Sequence, residues 1–231
     1  HKIDDRNSLF FMFYNGQDKL TTEYDSREGS MGELNTITNQ DWKWGNTLAA
    51  IKWNHVISGN LFLNTTLSLN NYKYGSVMAK NYTSRDGDKN ENISSIGMNY
   101  NSGIRDYSIT ADLDYIHSSS HYIRVGGTYT YHHFKPEILT QKETEETQNK
   151  VDFKHGNHLN THEAALYAED EWTISDRLKA NPGIRFSFFS VDGKGYAGID
   201  PRLSFSYMAT DKLSLKAGYT HMKQYIHLLS S

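Results

Sequence analysis

The stretch that decides the fold is Ile199–Ser231, IDPRLSFSYMATDKLSLKAGYTHMKQYIHLLSS. From Leu203 one face carries Leu203, Phe205 and Tyr207, and the other Ser204, Ser206 and Met208. After Thr210-Asp211-Lys212 the alternation resumes, with Leu213, Leu215, Ala217 and Tyr219 against Ser214, Lys216, Gly218 and Thr220. Side chains of a strand point alternately to its two faces, so a period of two with one apolar side marks a β-hairpin. The polar side is mostly Ser, Thr and Gly with one Lys, a composition suited to the wall of a water-filled lumen.

The same pattern recurs along the chain. It predicts nine strands, at about 7–15, 42–57, 61–74, 104–116, 121–134, 162–174, 177–190, 201–209 and 212–221. In 61–74, Leu61, Leu63, Thr65, Leu67 and Leu69 oppose Phe62, Asn64, Thr66, Ser68 and Asn70. The first strand, LFFMFY, is apolar on both sides, so its orientation stays open. Short connections at Ser58–Asn60, His117–Ser120, Ser175-Asp176 and Thr210–Lys212 alternate with long polar ones at 16–41, 75–103, 135–161 and 191–200. Up-and-down barrels of outer membranes sort their connections in this way, with short periplasmic turns and long outer loops. Ile93–Asn101 is then a strand extension within the 75–103 connection. Trp53 and Trp172 fall near short turns, and Tyr129 and Tyr131 toward the long-loop end, where amphipathic rings favour the two interfaces. Asp170 shares the apolar side with Leu166 and Trp172 and is expected near an interface. Pro182, which has no N–H to donate, is expected to make a bulge with Gly183.

Several runs resemble TonB-dependent outer-membrane receptors of the Bacteroidetes type. They are PRLSFSYMATDKLSLKAGY and HMKQYIHLLS, WGNTLAAIKWNH at Trp44–His55, HYIRVGGTYTYHHFKP at His121–Pro136, and ALYAEDEWTISDRLKANPGIRFSFF at Ala165–Phe189. The likeness covers barrel strands alone; the plug domain and the TonB box have no counterpart. It implies an all-β, antiparallel up-and-down transmembrane barrel, present in part. Residues 1–231 would be a segment of a barrel of about 22 strands, with the plug and the remaining strands absent. It also implies a bacterial outer-membrane transporter that binds a scarce nutrient and imports it with TonB-coupled energy. Its partners would be outer-membrane lipid, the nutrient, and the TonB energy-transducing complex acting through the missing plug.

Composition narrows the alternatives. A net charge of −3 gives no electrostatic case for nucleic acid. Without cysteine there is no disulfide framework and no thiolate chemistry. No apolar run approaches the ~18 residues of a membrane helix. A mean hydropathy of −0.70 is no argument against a barrel, since half of each spanning strand faces water.

Among possible sites, His155, His158 and His162 in HGNHLNTH have spacings that suit zinc on a helix, but here they enter a strand from a Gly/Asn-rich loop. DGDKNEN departs from a calcium loop, with Glu91 at its sixth position and Gly97 at its twelfth. Glu163, Glu169 and Glu171 share a strand side with Tyr167, and Lys179 and Arg185 on the next strand are their expected partners. No catalytic residue and no cofactor is expected. Gln224, Tyr225, His227 and Arg202 are the expected contacts to ligand or plug. The competing readings are an outer-membrane barrel hydrolase and a soluble all-β carbohydrate-binding module.

Overall fold

The computed structural model describes residues 1–29, 34–86, 90–145, 150–156 and 158–226, with side chains except at 85–86, 90–92, 136–145 and 150–156. Its strands are β1 (Asn7–Glu28), β2 (Leu34–Ser58), β3 (Leu61–Asp86), β4 (Asn90–Ile116), β5 (His121–Glu145), β6 (Lys150–Gly156), β7 (Leu159–Ser175), β8 (Leu178–Val191), β9 (Lys194–Thr210) and β10 (Leu213–Thr220). They form one antiparallel sheet in chain order. Ile138 of β5 faces Gly156 of β6, and Phe134 faces Leu159 of β7. β6 and β7 are therefore one returning strand with a break in it, and the sheet follows the expected nine-strand path. β1 and β10 pair on one side each and not with each other, so the up-and-down barrel is open.

The register fixes the faces. One row runs Phe11–Ile51–Leu67–Ile109–Tyr129–Ala164–Phe188–Ala197 across eight strands. The adjacent polar row runs Phe10–Lys52–Thr66–Thr110–Thr128–Ala165–Ser187–Gly198. This resolves the first strand: Leu9, Phe11 and Phe13 join the apolar side, and Phe10, Met12 and Tyr14 join the polar one. The apolar side is open, with Leu166 68% exposed and Phe11 69%. The buried polar groups Asp114, Thr161, Ser187 and Asp200 all lie on the other side. That crowding marks the polar side as the inner wall of the curve.

The four short turns stand where expected, and Ile93–Asn101 lies within β4. A further turn precedes them. Lys2 bridges Ser8, the Leu9 N–H donates to the His1 carbonyl, and Asp4 accepts from the Arg6 N–H at 2.7 Å. Asn7 faces His55 while β2 runs on to Ser58, and Leu178 faces Tyr207 while β9 runs on to Thr210. Each turn is thus displaced by about three residues per two strands, a tilt of roughly 45° at ~3.3 Å per residue and ~4.8 Å between strands.

The long connections differ from expectation. They are mostly continuing strand: β1 and β2 stay paired to Glu28–Leu34, and β3 and β4 to Asp86–Asn90. The β8–β9 hairpin closes on Asp192 (φ 48°) and Gly193 (φ 74°). Backbone ladders persist in water without apolar alternation, so the pattern fades where the strands do not. Pro182 makes no bulge either. Glu169–Gly183 and Trp172–Ala180 keep one register across a gap in the ladder. The register shift falls at Pro136 instead, between Asn101–Ile138 and Gly103–Lys135.

Candidate functional site

The polar wall carries a connected hydrogen-bond network. Near the short turns, Arg124 of β5 donates from Nε to Asp114 of β4 at 2.7 Å, and to Glu169 of β7 and the Tyr122 hydroxyl at 3.3 Å each. Asn64 of β3 donates to the second Asp114 oxygen at 2.7 Å. Asp114 is almost buried, and this partner set accounts for its charge. One row up, the Tyr167 hydroxyl donates to Asp112 across Gly126. A Cβ on Gly126 would lie 2.6 Å from both the Asp112 carboxylate and the Tyr167 ring, so only glycine leaves that path open.

Hydroxyl pairs Thr110–Thr128 (3.0 Å) and Ser108–Thr130 (2.9 Å) continue the wall upward. Above them His132 meets Asp106 at 2.7 Å, and Glu163 meets Arg185 at 3.6 Å. The expected Arg185–Glu163 pair is present. Lys179 instead faces Thr173, and Glu169 is held by Arg124, a partner on the opposite neighbour strand.

Beyond β10 the chain turns in over this wall. Tyr225 stacks on Phe189 (centroids 5.1 Å apart, planes 3° from parallel), and its hydroxyl lies 2.9 Å from Ser187 Oγ. His221 Nδ1 lies 3.3 Å from the buried Asp200 carboxylate. A Cβ on Gly198 would meet Lys223 and Tyr225 within 2.9 Å, so glycine there admits the segment. Gln224 donates to the Ile226 carbonyl at 2.7 Å, and Arg202 stands on the same wall opposite Gly183 and Thr220. His227 lies outside the described residues.

The three histidines acquire different surroundings. His158 stacks on His133, and His162 bonds the Tyr129 hydroxyl at 2.8 Å from the apolar side; the side chain of His155 lies outside those described. Asp170, the charge on the apolar side, is bonded to His121 at 2.7 Å, and His121 stacks on Trp172.

Past the row Asn15–Thr47–Asn71–Arg105–His133 the two sides exchange character. The side that was apolar becomes Gln17, Lys19, Asp41, Lys43, Lys73 and Asn101. The inner side gains Trp42, Trp44, Tyr74, Met78, Met98 and Tyr100, with Tyr74 and Tyr100 edge to face at 5.7 Å. Sequence reading missed this reversal, although the parity of Trp42, Trp44, Tyr72 and Tyr74 carries it once the strands are known to continue.

Such a wall can bind and guide a polar solute. Glu163 and Glu169 lie roughly 20 Å apart along β7 at ~3.3 Å per residue, against the ~5–9.5 Å that a glycosidase pair needs.

A family match agrees with this architecture. Residues 2–221 match the model of the family "TonB dependent receptor-like, beta-barrel". No curated protein matches the sequence significantly. Similar solved structures include the P. aeruginosa FpvA–pyoverdine complex (9% identity, TM-score 0.38, 93% of this chain and 41% of that one). Others are the copper transporter OprC (11%, 0.46, 96% and 45%) and the FrpB iron transporter of Neisseria meningitidis (7%, 0.41, 94% and 47%). The chain spans less than half the length of each of these three. On the extent of the family match, the chain belongs to the TonB dependent receptor-like, beta-barrel family.

Proposed function

We propose that this chain is part of the wall of an outer-membrane receptor that binds a scarce nutrient and imports it with TonB-coupled energy. The observation that carries the reading is the two-faced sheet. An apolar side that runs across nine strands, with the Asp170–His121 pair near its short-turn edge, suits lipid, while the opposite side carries a hydrogen-bonded network of charged and polar groups suited to a wet lumen. Residues 1–231 are then a barrel segment, with a plug domain and further strands supplied elsewhere in the protein. The wording of WGNTLAAIKWNH and PRLSFSYMATDKLSLKAGY supports the Bacteroidetes type. Gln224, Tyr225, His227 and Arg202 are the proposed contacts to ligand or plug. His155, His158 and His162 remain a proposed metal-binding trio. No covalent step is assigned to the wall.

Uptake by cells carrying the full-length receptor tests the reading, with candidate nutrients supplied one at a time as labelled compounds. Uptake that stops on loss of the receptor and, separately, on loss of the TonB partner is the expected result. Accumulation that survives loss of the TonB partner would reject energy coupling.

A further inference from the structure

The apolar side of β1–β5 carries two adjoining hollows. The lower, of about 810 Å³, is lined by Phe11, Phe13, Ile51, Leu67, Ile109 and Tyr129 among others, with Tyr107 and Tyr131 at its upper edge. The upper, of about 250 Å³, begins one row above that tyrosine pair. Its wall includes Asn71, Lys73, Asn101, Arg105, His133 and Lys135 around Gly103. Lys73 and Lys135 face Gly103 from the strands on either side, and Arg105 lies next along β4. A Cβ on Gly103 would come within 2.9 Å of the Tyr72 carbonyl, so the floor between the cations stays bare.

Among the described residues no acidic side chain lines the upper hollow, and none of Lys73, Arg105 and Lys135 is ion-paired with a described side chain. Lys19, nearby, differs in being paired with Asp41 at 3.1 Å. Lys43, Lys73 and Arg105 step down along successive strands in the direction of the turn line. These three cations therefore follow the tilt of the sheet, and Lys135 lies one row above Arg105, level with Lys73 across Gly103.

We propose that this face binds a phosphorylated, multiply acylated amphiphile of the outer leaflet. Its phosphate sits among Lys73, Arg105 and Lys135, and its chains lie in the apolar hollow beneath. The inference rests on the outer-membrane reading above, which puts the long-strand end on the outside. Continuity favours a lipid over free phosphate: the cation hollow opens on the lipid-facing side and adjoins a groove that an acyl chain fills.

The test uses the full-length receptor that carries this segment, purified in neutral detergent. Native mass spectrometry counts lipid A molecules retained from doped micelles, for wild type and for K73Q/R105Q/K135Q. Each cation near an anionic surface contributes about a factor of five, so retention by the triple variant is expected to fall about a hundredfold. The charge-keeping variant K73R/R105K/K135R is expected to retain lipid A, and raised salt to weaken retention. Equal retention by wild type and K73Q/R105Q/K135Q would overturn the inference. So would inorganic phosphate stripping the lipid while binding equally well alone. Flotation with phosphatidylcholine vesicles separates the two readings. If the wild type does not float, the membrane reading fails. If wild type and K73Q/R105Q/K135Q both float and retain lipid A equally, only the present inference fails.

Discussion

Tyr225 stacks on Phe189 and reaches Ser187 with its hydroxyl, so the chain after β10 is pinned to the inner wall of β8 and β9. The stack is worth ~0.5–1.5 kcal/mol and the hydroxyl bond ~1 kcal/mol. Tyr225→Ala is expected to free the segment, which presents Lys223 to trypsin. Cleavage there should rise about tenfold or more, read by mass spectrometry of timed digests; an unchanged rate would mean that the tail is not held in this way.

Gly126 leaves the passage through which Tyr167 meets Asp112. Gly126→Val forces both side chains aside and is expected to cost ~1–3 kcal/mol, the usual range for overpacking. The check is the urea midpoint of the refolded receptor, followed by tryptophan fluorescence in micelles. Adding Tyr167→Ala to Gly126→Val should restore part of the loss, because it removes one of the two obstacles.

Arg124 balances Asp114, which is 6% exposed, and bonds Glu169 as well. Breaking a buried pair costs ~3–5 kcal/mol, and part-exposure of Arg124 lowers the expectation for Arg124→Met to ~1–3 kcal/mol. The double variant Asp114→Asn with Arg124→Met should recover much of this. The same unfolding assay reads both, and a double variant no more stable than Arg124→Met would contradict the assignment.

Leu166 lies in the middle of the apolar side and Asp170 near its short-turn edge, where His121 partners it. A cation at mid-depth costs ~2–4 kcal/mol and little near an interface. Leu166→Arg should therefore impair refolding into vesicles strongly, while Asp170→Asn should leave it close to wild type. Equal yields for Leu166→Arg and wild type would argue against lipid on this side.

How much of this was legible in the sequence depends on what each residue faces. Leu203, Phe205 and Tyr207 alternate with serines because one side meets an apolar medium and the other water, so strand identity, face and turns could be read directly. LFFMFY could not be oriented alone, because Phe10, Met12 and Tyr14 put apolar groups on the polar side. Strand lengths were underestimated at Gln17–Glu28 and Leu34–Asp41, where both sides are solvated and alternation carries no signal although the ladder continues. Pro182 and Pro136 look alike in sequence, yet only the second coincides with a register shift. Partners followed the same division. Arg185–Glu163 was readable from adjacent strands, whereas Arg124–Glu169 and Tyr225–Phe189 required the register and the path of the tail. The cation hollow joins Lys73, Arg105 and Lys135 from three strands, and no short motif announces it.

The central claim is that two opposite sides of one sheet meet different media. The chain contains no cysteine, so single cysteines can serve as reporters without a background within it. The most direct measurement places them one at a time along β7 and β8, at Leu166, Ala168, Ile184 and Phe186 on the apolar side and at Tyr167, Glu171, Lys179 and Arg185 on the polar side, where Glu171 and Lys179 are exposed. The full-length receptor is then labelled in outer membranes with a water-soluble maleimide. The expected result is a period of two, with polar-side positions labelled and apolar-side positions protected until detergent is added. Uniform labelling along both strands, or protection confined to the polar side, would contradict it.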